Sequence, residues 1–361
     1  MEEKFTYTEL LRGVKSLEVN YNIENSVLIM NLDKEYGIEI ASVHFIPLGD
    51  SAYSYWVKCA NRERYYLKLF DHQNDGQRRS TERLRFYLPL TWQMYHQGLF
   101  RNLTYPIVNR DGGFTTTFNN VTVVLFNYIE GETLAEAYPF SKEMLEDIAK
   151  SVAAIQLITP FIDKTKLMAD TFDISFEYDL ETCISMIECT ITYNNPIKQT
   201  LRQVVLSKKE QIFDLLHLVR KLHGISIADT KEKVLCHGDI WGGNLIRHKN
   251  ELYFIDWESA ILAPPEYNFV YYMGEEFDVF FSAYEKNIGK TLTLNLDLLR
   301  FYAYRNHLRN LTNWLMNILY RNTEEVQNEK DLEKILYHCM NRWDSIEANV
   351  RAIDALLQKR K

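Results

Sequence analysis

Five cysteines are scattered through the chain, and no two of them stand in a Cys-x-x-Cys pair. Their odd number and wide spacing argue against a zinc site or a disulfide framework and point to a reducing cytoplasm. The opening MEEKFTYTELL is acidic and has no apolar core of the kind a secretory signal carries. The longest apolar run, around Val121–Phe126, is far too short to cross a bilayer, so no membrane partner is expected. Basic charge is also in deficit. A formal net charge of −8 lacks the field that a general nucleic-acid binder uses to release counterions. It suits a cationic small substrate, although many acidic proteins use such charge only to stay soluble. Internal repeats, low-complexity tracts and Pro/Ser-rich linkers are missing, and nothing points to a protein partner.

What is there is a chain of 361 residues, 46% hydrophobic and 25% charged, enough for two domains or one large two-lobed domain. Its organisation shows as a change of periodicity. Helical spacing runs from Tyr7 to about Tyr36 (Leu10, Leu11, Val14, Leu17, then Val27, Leu28, Leu32), which predicts two short helices. From Ile38 the texture is β-like: IEIASVHFIPLGD, AYSYWVKCA and RYYLKLF are rich in β-branched and aromatic residues. A helix is expected over about Gln77–Gln97, broken or kinked by Pro89. Two further strands are expected in TYPIVNRDGGFTTTFNNVTVVLFNYI, with Asp111-Gly112-Gly113 as their turn.

After Glu130-Gly131 helical spacing dominates, near 141–158, 207–223, 269–287, 297–320 and 325–358, and only 234–256 interrupts it with β texture. The expected class is therefore α+β and bilobal. A small β-rich N-terminal lobe spans 1–130, with a helical extension over about 1–24, and a larger helical C-terminal lobe spans 131–361.

The interruption reads CHGDIWGGNLIRHKNELYFIDWE. Phosphoryl transfer needs a carboxylate to orient and deprotonate the acceptor hydroxyl, oxygen ligands for Mg²⁺, and a cation on the nucleotide phosphates. Asp239 suits the first task. Asn244, beyond the Gly242-Gly243 bend, offers a side-chain oxygen for the metal. The run LIRHKNELYFID reads as a hairpin turning at His248-Lys249-Asn250, which would return Asp256 to the neighbourhood of Asn244. One Asn and one Asp suffice for Mg²⁺, because phosphate and water complete its shell. His237 is placed to brace the loop by hydrogen bonding rather than to act as the base. Taken singly, Asp239 and Asn244 are ordinary turn formers; the composite with the hairpin and Ile-Asp-Trp-Glu is much more specific.

CHGDIWGGN followed by FIDWE resembles the catalytic and metal segments of the aminoglycoside phosphotransferase family, which shares the protein-kinase-like fold. The wider stretch, from VLCHGDIWGGNL through YFIDWESAILAP to PEYNFVYYMG, is most similar to spectinomycin phosphotransferases within it. The likeness covers the layout of the chain from about Asn25 onward and is specific only in these motifs. It implies a kinase using ATP or GTP with Mg²⁺, with the nucleotide held between the lobes.

That resemblance also implies parts in the N-terminal lobe. A lysine is expected on a strand after a phosphate-covering loop. Lys68 in YYLKLF fits, and its rival Lys58 lies one strand too early. The lysine should pair with an acid on the next helix, and between Gly76 and Arg110 the only acidic residue is Glu82. The covering loop PLGDSAYSYWV carries the single glycine Gly49, and backbone N–H groups of Asp50, Ser51 and Ala52 would meet phosphate. FNYIEG resembles the inter-lobe hinge, so groups of Asn127, Tyr128 and Ile129 would bind the adenine edge.

The chain departs from the family at Gln156, where relatives have histidine, and at Asn268, where they have an aspartate that supports the catalytic loop. For the acceptor, carboxylates and aromatic faces are expected: Glu275, Glu276 and Asp278 in MGEEFDVFF, Trp241 in the catalytic loop, and Glu177, Asp179 and Glu181 in FEYDLETC. Each of these acids also reads as part of a solvated helix face. Three readings stay open. The acceptor is an aminocyclitol or aminoglycoside antibiotic such as spectinomycin, or a small metabolic alcohol such as choline, homoserine or a thioribose; or the chain is a non-catalytic kinase-like scaffold, as in a spore coat.

Overall fold

The computed structural model describes residues 21–47, 51–228, 232–274, 276–322 and 324–360. The helix expected around Leu10–Leu17, Gly49 and Asp50 of the covering loop, and Glu275 lie outside the described residues. In chain order the strands are β1 (Ile40–Ile46), β2 (Tyr53–Cys59), β3 (Arg64–Asp71), β4 (Thr116–Phe118), β5 (Val121–Asn127), β6 (Glu132–Thr133), β7 (Val234–Cys236), β8 (Leu245–His248), β9 (Glu251–Phe254) and β10 (Ile261–Ala263). Two compact units divide the chain. The first is Met1–Glu136 with Phe161–Lys166 and Gly242–Ser259, and the second takes Ala137–Pro160, Leu167–Trp241 and Ala260–Lys361.

The first unit is built on an antiparallel sheet in the order β1-β2-β3-β5-β4. Side chains alternate across a strand. Leu67 and Leu69 of β3 join Tyr55, Val57, Val121, Val123 and Leu125 in a core with Leu28 and Leu32 of the Asn25–Tyr36 helix. Lys68, between the two leucines, is thereby turned to the opposite face. The β4–β5 hairpin does not turn at Asp111–Gly113 as expected. It turns at Asn119-Asn120, whose φ of 46° and 62° put both residues in the left-handed region that tight hairpins use. Gly113 closes a separate loop, its carbonyl accepting from Asn109 N–H at 2.8 Å.

One helix runs through Asp75–His96 with Pro89 inside it, so the expected interruption is not a break. An internal proline costs about 3 kcal/mol. Burial of Leu84, Tyr87, Leu88, Leu90 and Met94 outweighs it, at about 1.5–3 kcal/mol for each large side chain. The N-terminus is capped by Asn74, whose side chain accepts from the N–H groups of Gly76 and Gln77.

A second, three-stranded sheet, β6-β8-β9, also belongs to the first unit. Periodicity assigned this hairpin to the helical lobe, and packing corrects that. Glu132 pairs with Arg247, Leu103 bridges Phe254, and Phe254 N–H donates to Asn102 O at 2.9 Å. Gly131 permits the approach, for a Cβ there would collide with the Arg247 carbonyl and its φ is 130°.

The second unit is helical around the β7–β10 pair. The helix face read for Glu177, Asp179 and Glu181 belongs to a helix at Phe176–Cys189, a further helix at Pro196–Ser207 was not expected from the sequence, and the 325–358 segment is divided by a π-helical stretch, Lys334–Cys339, before Trp343–Lys359. Asp170 ties this core together. Its carboxylate binds Arg305 and Tyr302 at 2.9 Å each, and its main chain pairs with Leu262 of β10. Because β10 pairs with β7, that ion pair supports the strand leading into His237. Among the described residues no helix is long and apolar enough to cross a membrane.

Candidate active site

In the first unit the hairpin forms as the spacing predicts. His248 pairs with Glu251 and Leu245 with Phe254 around a Lys249-Asn250 turn. At its open end Ile255 N–H donates to Asn244 O at 3.0 Å, which brings the flanks of Asn244 and Asp256 together. Asn244 is buried and ends the 3₁₀ turn Gly242–Asn244. Asp256 has a φ of 61°, a conformation that costs a non-glycine residue about 1 kcal/mol or more and persists only where surroundings enforce it. They do so here: Trp257, fully buried, donates Nε1–H to Phe254 O at 3.0 Å, and Lys68 Nζ binds Asp256 Oδ1 at 2.7 Å.

Lys68 is the electrostatic centre of this unit, its side chain 9% exposed. Burial works against its charged form, but Asp256, then Glu258, hold the ammonium well above the usual lysine range. Glu258 Oε2 lies 3.9 Å from Lys68 Nζ. Burial raises the Glu258 carboxyl, while Lys68 pulls it back. The expected pairing with Glu82 does not form. Glu82 is exposed, and no ion pair joins it to Lys68 among the described residues. The reason is helical phase. The buried stripe of the Asp75–His96 helix passes through Leu84, Tyr87 and Leu88, two or more residues out of step with Glu82, and it is Tyr87 that feels the lysine's charge.

Of the expected nucleotide residues, Ser51 is described, and its side chain hydrogen-bonds Glu258. Asn127 ends β5 and is committed to the chain beside it: its N–H donates to Tyr105 O at 3.1 Å, and its Oδ1 accepts from Tyr105 N–H at 2.7 Å. The Arg64 guanidinium, ion-paired with Glu130, lies over the Tyr128 ring at 4.6 Å. Ile129 is partly exposed.

In the second unit β7 delivers the His237–Trp241 loop. His237 is fully buried and its Nδ1 accepts from Asp239 N–H at 3.3 Å. Gly238 between them has a φ of 87°, which favours glycine. Its main chain is held from both sides: Asn268 Oδ1 accepts its N–H at 3.3 Å, and Tyr271 OH donates to its carbonyl at 2.7 Å. Tyr271 OH also lies 3.5 Å from Asp239 Oδ1, and Tyr272 OH donates to Ile240 O at 2.6 Å. The departure at Asn268 therefore keeps an acceptor for the loop, and the surplus Asn268 Nδ2 is buried without a partner. Gln156, the other departure, is buried and accepts a hydrogen bond from Tyr284 OH. Nothing in the sequence marked Tyr271 or Tyr272. Glu258 was visible as the second acid of Ile-Asp-Trp-Glu.

The acids considered for the acceptor are largely paired. Glu177 and Glu181 bind Arg220 at 2.8 and 2.7 Å. Glu276 lies 3.5 Å from Lys142, and Asp278 is exposed. Trp241 is 44% exposed, unusual for a large aromatic in a braced loop.

This architecture is a protein-kinase-like α+β fold with a lysine-bearing antiparallel sheet. The spectinomycin phosphotransferase APH(9)-Ia, solved with ADP and spectinomycin, matches it with a TM-score of 0.69 at 17% identity, over 87% of this chain and 95% of that one. An amicoumacin kinase, solved with AMP-PNP and Ca²⁺, matches at 0.55 and 14%, over 91% and 96%. An ethanolamine kinase from Plasmodium vivax matches at 0.53 and 14%, over 94% and 98%. No curated protein sequence matches the chain. Residues 42–290 match the model of the phosphotransferase enzyme family (APH), and the chain belongs to that family. It is a small-molecule phosphotransferase, as the CHGDIWGGN and FIDWE motifs led one to expect.

Proposed function

We propose that the protein moves the γ-phosphoryl group of ATP or GTP to a hydroxyl of an aminocyclitol- or aminoglycoside-type acceptor such as spectinomycin. The observation that carries this reading is the ion pair between buried Lys68 of β3 and Asp256, which flanks the same hairpin as Asn244, in a member of this family. Asp239 takes the acceptor's hydroxyl proton as the new O–P bond forms and the bond to the β-phosphate breaks, leaving ADP or GDP. Lys68 supplies positive charge to the phosphates. Asn244 and Asp256 are hard oxygen donors, one of them anionic, and that set fits Mg²⁺. When bound, the ion would neutralise charge on the β- and γ-phosphates.

A second acceptor class has an observation in its favour. Arg220 occupies Glu177 and Glu181, and Lys142 stands beside Glu276, so fewer free carboxylates face a polycation than composition promised. That suits a small, weakly charged alcohol. The test is ADP and GDP release with spectinomycin, several aminoglycosides, choline, ethanolamine and homoserine, run on the parent and on Asp239→Ala. Turnover of an aminocyclitol that Asp239→Ala abolishes is expected. Turnover of choline or ethanolamine alone selects the second class, and activity surviving in Asp239→Ala removes the mechanism.

A further inference from the structure

Among the described residues Lys68 has two carboxylate neighbours, and the nearer is the one expected to leave it. In the functional reading above, on which this inference rests, Asp256 gives its charge to the metal. A lysine buried on the face opposite the Leu67/Leu69 core would then need another anion to hold its ammonium toward phosphate. Glu82, the only acid between Gly76 and Arg110, is exposed and forms no ion pair with Lys68 among the described residues.

Glu258 meets the requirement. It lies 3.9 Å from Lys68 Nζ with 23% of its side-chain surface exposed, and it hydrogen-bonds Ser51 at the end of the phosphate-covering segment. Arg83 adds a further positive neighbour. Its backbone belongs to the Trp257–Ser259 turn, fixed by the buried Trp257 and its bond to Phe254 O. A carboxylate on so rigid a turn can stay in place while Asp256 changes partners. We propose that Glu258, not Glu82, is the positioning residue for Lys68, fixing the ammonium for the nucleotide phosphates and tying the Ser51 segment to the same point.

The measurement is the Kd for ADP by calorimetry, in Mg²⁺ and again in EDTA, for the parent, Lys68→Met, Glu258→Gln, Glu258→Asp and Glu82→Gln. Glu258→Gln is expected to weaken ADP about tenfold in Mg²⁺, where Asp256 turns to the metal, the scale of one charged hydrogen bond, and by less in EDTA, where Asp256 stays on Lys68. Glu258→Asp, which restores the carboxylate on a shorter stem, should fall between Gln and the parent, and Glu82→Gln should match the parent. Loss in EDTA as large as in Mg²⁺ would mean that Glu258 does not stand in for Asp256 and would overturn the proposal. So would unchanged binding, or loss in Glu82→Gln instead. If Glu258→Gln does not fold, Glu258→Asp decides alone: parental affinity in Mg²⁺ overturns the proposal, and weaker binding supports it. Lys68→Met is the separate control, since parental ADP affinity there would sink the functional reading itself.

Discussion

Asp256 Oδ1 lies 2.7 Å from Lys68 Nζ, although 188 positions separate the two residues. The partners are unequally buried, with side-chain exposures of 9% for the lysine and 31% for the aspartate. Breaking a buried pair is costly because it strands the charge left behind, about 3–5 kcal/mol where that charge is sealed from water. Asp256→Asn strands the deeper partner and should destabilise the protein more than Lys68→Met, though by less than the full figure because Glu258 remains. Both should lower kcat/KM by about 10²–10³-fold, the scale of one preorganised electrostatic group. Urea denaturation of the two variants checks the asymmetry; equal losses would show that burial does not govern it.

Tyr271 and Tyr272 offer a cleaner separation of structure from catalysis. Each hydroxyl donates to a loop carbonyl, Gly238 O and Ile240 O, and only Tyr271 also approaches the Asp239 carboxylate. Changing either to Phe strands a buried acceptor, which costs about 1–3 kcal/mol. Tyr271→Phe should in addition lower kcat about tenfold or more while leaving the KM for nucleotide unchanged, since a small displacement of a catalytic group is expensive in rate. Steady-state kinetics beside thermal melts test this. Equal kcat losses in the two variants would show that the Asp239 contact contributes nothing.

The Asp170–Arg305 pair, with side-chain exposures of 6% and 3%, should behave as a purely structural element. Arg305→Met leaves a buried carboxylate served by Tyr302, and about 3–5 kcal/mol should be lost, or of the order of 10 °C in Tm. Adding Asp170→Asn should recover part of the loss, because the stranded charge is then removed. Calorimetry of the single and double variants decides. Below the melting range kcat should change little, for neither residue touches the His237–Trp241 loop in any hydrogen bond described above.

Much of the site could be read from residue order because its geometry is local. A hairpin with polar turn formers returns Asp256 to Asn244 whatever surrounds it, and strand alternation turns Lys68 away from the Leu67/Leu69 core. Glu82 failed for the opposite reason. Being the only acid between Gly76 and Arg110 does not tell which way the helix is rotated, and rotation is set by Leu84, Tyr87 and Leu88 finding a core. Of the Phe176–Cys189 helix only the acidic face was legible, because Thr182, Ile184 and Ile187 carry strand propensity, which burial of Leu180, Cys183, Ile184 and Ile187 on one helical face overrides. Tyr271 and Tyr272 had no signal at all, since their role exists only once the 268–272 segment lies against the loop.

A last expectation concerns acid. Burial, and secondly Arg342, depress the His307 imidazole from its usual 6.5 to about 4. The folded state therefore binds this proton less readily than the unfolded chain does. Its contribution is complete above the unfolded value and is lost as pH falls from about 6.5 toward 4. Between pH 7 and pH 5 that loss comes to about 2 kcal/mol. His338, depressed by burial and then by Arg342, works in the same direction. Burial raises the Glu258 carboxyl, and that has the opposite sign, so the comparison must be made against a variant. His307→Gln should show a shallower fall in unfolding free energy over this interval, by about the amount stated, in urea titrations at each pH. A parallel fall in parent and variant would mean that His307 is protonated as easily in the folded protein as in the unfolded chain.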